Sequence, residues 1–122
     1  MKHTILIVDD SPLIRRSLRL WIAGSLDWEV CGEAENGREA VDRVEALHPD
    51  LVILDFRMPV MNGLEAARCI REVAPRTAML MFTMHTSSEL LKAALEAGVT
   101  DVVSKSDRLS DHLSTALRQI IA

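Results

Sequence analysis

The sequence predicts an α/β fold, a doubly wound sheet of five parallel strands flanked by five helices. Three observations carry this. Short apolar runs rich in β-branched residues recur along the chain, helix-start signals fall between them, and several runs are apolar at consecutive positions instead of alternating. Consecutive apolar positions are what a strand needs when helices cover both faces of its sheet.

The predicted strands are Thr4 to Val8, Trp28 to Gly32, Leu51 to Leu54, Ala78 to Phe82 and Val99 to Val103. Their spacing of about 25 residues fits a strand, a helix and two short loops, and such alternation implies right-handed crossovers. Ser11 before Pro12 places a capping hydroxyl ahead of a proline at the first helical position, where its missing N–H costs nothing. Asn36 with Glu39, Asn62 with Glu65, and Thr86 with Glu89 each have capping-box spacing. A fifth helix from about Asp107 is supported by the stripe Leu109, Leu113, Ala116, Leu117 and Ile120.

At 100° per residue, Ile14, Ser17, Leu18, Trp21 and Ile22 share the core face of the first helix. Arg15, Arg16 and Arg19 fall largely opposite and read as a solvated face, while Leu13 and Leu20 lie off the core stripe as an exposed apolar pair.

The chain has 122 residues, enough for one domain over residues 1–122. With 48% apolar and 26% charged residues, five glycines and four prolines, the composition excludes disordered and low-complexity classes. A net charge of −4 gives no footprint for holding nucleic acid directly. No apolar run approaches the roughly 18–20 residues of a membrane span, and Asp9 and Asp10 interrupt the one near the N-terminus. No membrane association and a cytoplasmic location are therefore expected. Cys31 and Cys69 have no metal-ligand spacing and read as reduced core thiols.

In open parallel sheets, ligands sit beyond the carboxyl ends of the strands. The predicted strands end in Asp9-Asp10, Asp55, Thr83 and Ser104-Lys105, so these residues should converge on one rim. Packed carboxylates resist ionisation unless a cation neutralises them. Oxygen-only ligands suit Mg²⁺, and with Lys105 the formal charge becomes zero, which prepares the rim for a phosphoryl group. Taken singly, each residue has a plainer reading, an Asp after a strand being most often a helix cap.

Together the segments Ile7-Val8-Asp9-Asp10-Ser11 and Asp55-Phe56-Arg57-Met58-Pro59-Val60-Met61-Asn62-Gly63, then Thr83 and Lys105, resemble a response-regulator receiver domain of two-component signalling. The resemblance implies strand order 2-1-3-4-5, as in flavodoxin-like folds. It implies that Asp55 accepts a phosphoryl group from a sensor histidine kinase. It further implies that Asp9, Asp10, Asp55 and the Arg57 carbonyl hold Mg²⁺, and that Lys105 and Thr83 engage the phosphoryl oxygens. The expected output is a changed surface on the fourth helix, fifth strand and fifth helix. A homodimer is also expected, from the family and from Leu13 and Leu20.

Two features depart from the common receiver pattern. Many receivers carry an aromatic residue three positions before the lysine, where this chain has Val102, and Ser104-Lys105-Ser106-Asp107 leans toward the branch with LuxR-type helix-turn-helix output. Arg57 and His85 are expected at the mouth of the site, with Met84 narrowing access to it. The alternative is a phosphorylation-independent dimerisation or docking module, against which the intact acidic set argues. A Mg²⁺-dependent phosphohydrolase is disfavoured because no cap domain or second acid/base carboxylate is present. The protein is thus expected to be a phosphoacceptor switch and not an enzyme acting on other substrates.

Overall fold

A computed structural model of the chain describes residues 1–84, 86–105 and 109–121. The strands are β1 (His3–Val8), β2 (Trp28–Ala34), β3 (Leu51–Leu54), β4 (Ala78–Thr83) and β5 (Asp101–Ser104). They alternate with helices α1 (Pro12–Ala23), α2 (Gly37–Leu47), α3 (Gly63–Val73), α4 (Ser88–Glu96) and α5 (Leu109–Ile121). All neighbouring strands pair in parallel, in the order β2-β1-β3-β4-β5. Fold class and strand order both agree with the sequence reading.

Successive strand side chains point to opposite faces, and here both faces are apolar. Ile5, Ile7, Leu51, Ile53, Leu80 and Phe82 pack with Leu18 and Ile22 of α1 and Leu113 and Leu117 of α5. Leu6, Val8, Val52, Leu54, Met79 and Met81 pack on the other side with Val44 of α2, Ile70 of α3 and Ala94 of α4. This two-sided burial explains why β3 and β4 read as unbroken apolar runs.

β1 starts one residue earlier than expected, at His3, β4 runs one further, to Thr83, and other details differ as well. β5 starts at Asp101, because Gly98 turns the chain at φ 102° and the Val99 N–H bonds back to the Ala94 carbonyl at 2.9 Å. β2 continues to Ala34, since its backbone keeps pairing with Val8 although Glu33 is charged. Ser87, not Thr86, caps α4, accepting the Leu90 N–H at 3.0 Å. Ser17 is exposed, which leaves Leu18 and Ile22 as the buried positions of α1.

The caps at Ser11 and Asn62 form as predicted, and the box predicted at Asn36 forms only in half. Ser11 accepts the Ile14 N–H, and Asn62 with Glu65 makes a complete capping box. Asn36 accepts the Glu39 N–H at 2.8 Å, but the Glu39 carboxylate turns to Arg43 at 3.4 Å. Leu13 and Leu20 are 72% and 67% exposed, as expected of an apolar pair off the core stripe. Both cysteines are free and half-buried. Asp107, the predicted start of the fifth helix, lies outside the described residues, as do Ser106 and His85.

Gly63 fixes how closely α3 approaches the end of β3. A Cβ there would lie 2.2 Å from the Asp55 carbonyl oxygen and 2.9 Å from the Phe56 Cα. Both are backbone atoms, and the Gly63 N–H bonds the Phe56 carbonyl at 2.8 Å. Gly24 differs: its φ is −81°, and the nearest atom to an added Cβ is 3.6 Å away. Gly63→Ala is expected to cost about 1–3 kcal/mol and Gly24→Ala to stabilise by about 0.4–1 kcal/mol. Urea unfolding of the two variants would check both signs.

Candidate functional site

The strand order sets β1, β3, β4 and β5 side by side, so the residues at and just past their carboxyl ends form one rim. Asp9 comes directly after β1 and Asp55 after β3, Thr83 closes β4, and Lys105 comes directly after β5. Among the described residues, Asp9, Asp55 and Thr83 are the buried polar or charged ones. Burying such groups is costly without partners, so their convergence marks the site.

Lys105 links the carboxylates. Its Nζ lies 2.6 Å from Asp9 Oδ2 and 3.2 Å from Asp55 Oδ2, with the Lys105 side chain only 6% exposed. Asp55 Oδ1 accepts the Phe56 N–H at 2.8 Å, and Asp9 Oδ1 accepts the Ser11 N–H at 3.0 Å. Backbone bonds hold the rim in register: Asp55 N–H to the Val8 carbonyl at 3.0 Å, and Lys105 N–H to the Thr83 carbonyl at 2.7 Å.

Carboxylate oxygens of Asp9, Asp10 and Asp55 lie within 4.8 Å of one another. Asp10 is exposed and opens the cluster to solvent. Burial pushes the Asp55 carboxyl above its ordinary range, and the neighbouring Asp9 charge adds to this; Lys105 and the Phe56 N–H pull the other way. One ammonium therefore does not fully compensate the cluster. Hard oxygen donors, an excess of negative charge and access for water are the ligand environment Mg²⁺ requires, and the three carboxylates fit that ion.

The sequence-predicted Asp9, Asp10, Asp55 and Lys105 are thus brought together, with Thr83 buried on the same rim. Arg57 lies two residues after Asp55 with its side chain exposed, and Met84 is 56% exposed beside Thr83. Sequence reasoning missed Arg15, which helical periodicity assigned to a solvated face. Its Nε bonds Glu33 Oε1 at 2.9 Å and its Nη1 donates to the Asp9 carbonyl at 2.6 Å. The predicted second strand stops at Gly32, so Glu33 falls outside it and gives no signal of a partner for Arg15.

The response regulator receiver domain family matches residues 5–117. The protein-glutamate methylesterase/protein-glutamine glutaminase 1 of Methanosarcina mazei is 44% identical over 109 residues, covering 87% of this chain and 30% of that protein. The nitrate/nitrite response regulator protein NarL of Escherichia coli is 36% identical over 119 residues, covering 98% of this chain and 55% of NarL. The chain therefore spans between about a third and about half of these relatives' length. A LuxR-family two-component response regulator from an Aurantimonas species superposes with a TM-score of 0.92 at 30% identity, covering 99% of this chain and 86% of that one. The NarL and LuxR-family matches agree with the leaning read from the residues around Lys105. With the family matched across nearly all of the chain and the strand-end carboxylates in place, this chain belongs to the response regulator receiver domains.

Proposed function

We propose that Asp55 is the phosphoacceptor of a phosphorylation-switched signalling domain. The observation that carries this reading is the Lys105 ammonium, buried and shared between Asp9 and Asp55 at the rim of the sheet. A buried cation bridging a nucleophile-grade carboxylate and a second acid is a preorganised environment for a transferring phosphoryl group, where positioning and charge neutralisation dominate.

In the proposed step an Asp55 carboxylate oxygen attacks the phosphorus of a phosphohistidine on a sensor histidine kinase. The P–N bond breaks, its electron pair leaves with the imidazole, and an aspartyl phosphate remains. Lys105 then exchanges a carboxylate partner for a phosphoryl oxygen, and the Thr83 hydroxyl donates to another. Asp9, Asp10, Asp55 and the Arg57 carbonyl would hold Mg²⁺, which when bound supplies the remaining neutralisation of phosphoryl charge. Lys105 directly follows β5, so its re-pairing acts on the surface of α4, β5 and α5. A groove of about 530 Å³ lies there, lined in part by Leu91, Val102 and Ala116. Homodimerisation through the exposed Leu13 and Leu20 and a cytoplasmic location belong to the same proposal. Among the described residues no helix is long and apolar enough to cross a membrane.

Intact-mass analysis after incubation with acetyl phosphate or phosphoramidate tests the reading. The expected result is a Mg²⁺-dependent gain of one phosphoryl group, absent in Asp55→Ala and strongly reduced in Asp10→Ala. No gain in the wild type, with beryllofluoride also failing to bind, would overturn it. Lys105→Ala should still be labelled but lose any phosphorylation-dependent change in size or partner binding. Met84→Ala should shorten the lifetime of the phosphorylated form; an unchanged dephosphorylation rate would show that Met84 does not control access.

The pH dependence has a definite sign. Because the fold raises the Asp55 carboxyl, it favours the protonated form. That contribution to stability is fully present below the ordinary carboxylate range and is lost as pH rises through the raised value. At neutral pH the ionised Asp55 is therefore a net cost. Asp55→Asn is expected to melt higher than wild type at pH 7, with the difference shrinking toward about pH 4. Added Mg²⁺ should raise the wild-type melting temperature more than that of the Asn variant.

A further inference from the structure

Of the three arginines on α1, Arg15 is the one withdrawn from solvent. Its side chain is 15% exposed against 48% for Arg19, and Arg16 is exposed. Its guanidinium is used twice, at 2.9 Å to Glu33 Oε1 and at 2.6 Å to the Asp9 carbonyl oxygen. Glu33 in turn receives Arg19 Nε on Oε2 at 2.8 Å. Held on both oxygens from α1, Glu33 fixes the orientation of the Arg15 guanidinium.

The carbonyl that Arg15 grips belongs to the peptide joining Asp9 to Asp10. A peptide unit is planar and stiff, so fixing its oxygen also fixes the nitrogen and Cα of Asp10. On its other side Asp9 is anchored by its N–H to the Ala34 carbonyl at 3.1 Å. Asp10 takes no part through its side chain in the hydrogen bonds and ion pairs of the described residues, so whether its carboxylate can reach those of Asp9 and Asp55 depends on where the backbone sets its Cα.

We propose that Arg15, clamped by Glu33, is a positioning residue for the divalent-cation site, orienting the Asp9–Asp10 peptide so that the three carboxylates converge. The assignment rests on reading that cluster as the Mg²⁺ site. It acts through geometry rather than charge. Arg16 carries the same charge on the same helix and makes no hydrogen bond or ion pair with Asp9 among the described residues, so the contact to the carbonyl and not the charge distinguishes Arg15.

The test is calorimetric titration of Mg²⁺ into the unphosphorylated full chain, with melting of the metal-free proteins alongside. Outer-shell partners of metal ligands are typically worth 10–100-fold in affinity. Arg15→Ala is therefore expected to weaken Mg²⁺ binding by about tenfold. Glu33→Gln should weaken it by a smaller factor, Arg15→Lys should recover part of the loss, and Arg16→Ala should bind as wild type. The amide resonance of Asp10 should shift in metal-free Arg15→Ala and stay in place in Arg16→Ala. Wild-type Mg²⁺ affinity in Arg15→Ala, or an equal loss in Arg16→Ala, would overturn the assignment. Should Arg15→Ala fail to fold, wild-type affinity in both Glu33→Gln and Arg15→Lys would do the same. Absence of Mg²⁺ binding by the wild type overturns the metal site and this role together, whereas wild-type binding matched by Arg15→Ala overturns the positioning role alone.

Discussion

The ammonium of Lys105, wedged between Asp9 and Asp55 with 6% of its side chain exposed, is the constraint on which the rest of this structure turns. Removing an ion from water costs several kcal/mol even after the protein relaxes, and attraction offsets this only when the geometry is good. Three such ions sit at the top of a sheet whose central strands β1, β3 and β4 are largely apolar. Their partners come from sequence positions 9, 55 and 105, so the ion cluster exists only when β1, β3, β4 and β5 are paired in the native order. The charged rim adds nothing to the drive for folding and depends on two apolar layers, one on each face, to supply it.

Those layers also set the precision of the site. β3 is fully buried over all four residues, and Asp55 emerges from it with its N–H tied to Val8 and its Oδ1 to the Phe56 N–H. Gly63 allows α3 to press against this backbone, closing the loop that begins at Asp55. Within that loop Val60 takes a left-handed conformation at φ 69°, uncommon for a β-branched residue. Placement of the Asp55 carboxylate by backbone contacts, and not by its own rotamer alone, suits the proposed reaction, in which alignment matters more than intrinsic reactivity.

How much of this was legible depended on which physical signal each residue sends. β3 and β4 announce themselves through unbroken apolar runs, and the caps at Ser11, Asn36 and Asn62 through side-chain oxygens at fixed offsets. At the α4 start three consecutive hydroxyl residues compete, Thr86, Ser87 and Ser88, and spacing to a glutamate does not decide between them. The apolar count ended β2 two residues early because hydrogen bonding, not hydrophobicity, carries an edge strand onward through Glu33. Arg15 was hidden for a related reason. Periodicity treats every charge as seeking water, and a partly buried pair is visible as an exception only when the partner on another element is known. The rim carboxylates and Lys105 were readable because each sits at the end of a strand, and strand ends of a parallel sheet converge whatever lies between them.

Asp9 stands where the two halves of this network meet. Its carboxylate belongs to the rim, shared with Lys105 and the Ser11 N–H, while its peptide groups belong to the frame, shared with Ala34 and Arg15. If Lys105 turns from Asp9 toward a phosphoryl oxygen, Asp9 loses its one direct ionic partner among the described residues, yet its backbone contacts are untouched. The loop carrying Asp9 and Asp10 then keeps its place through these backbone restraints while charge is redistributed around it. The proposed switch requires this division, because the element that moves and the element that carries the acidic cluster have to be different parts of the same site.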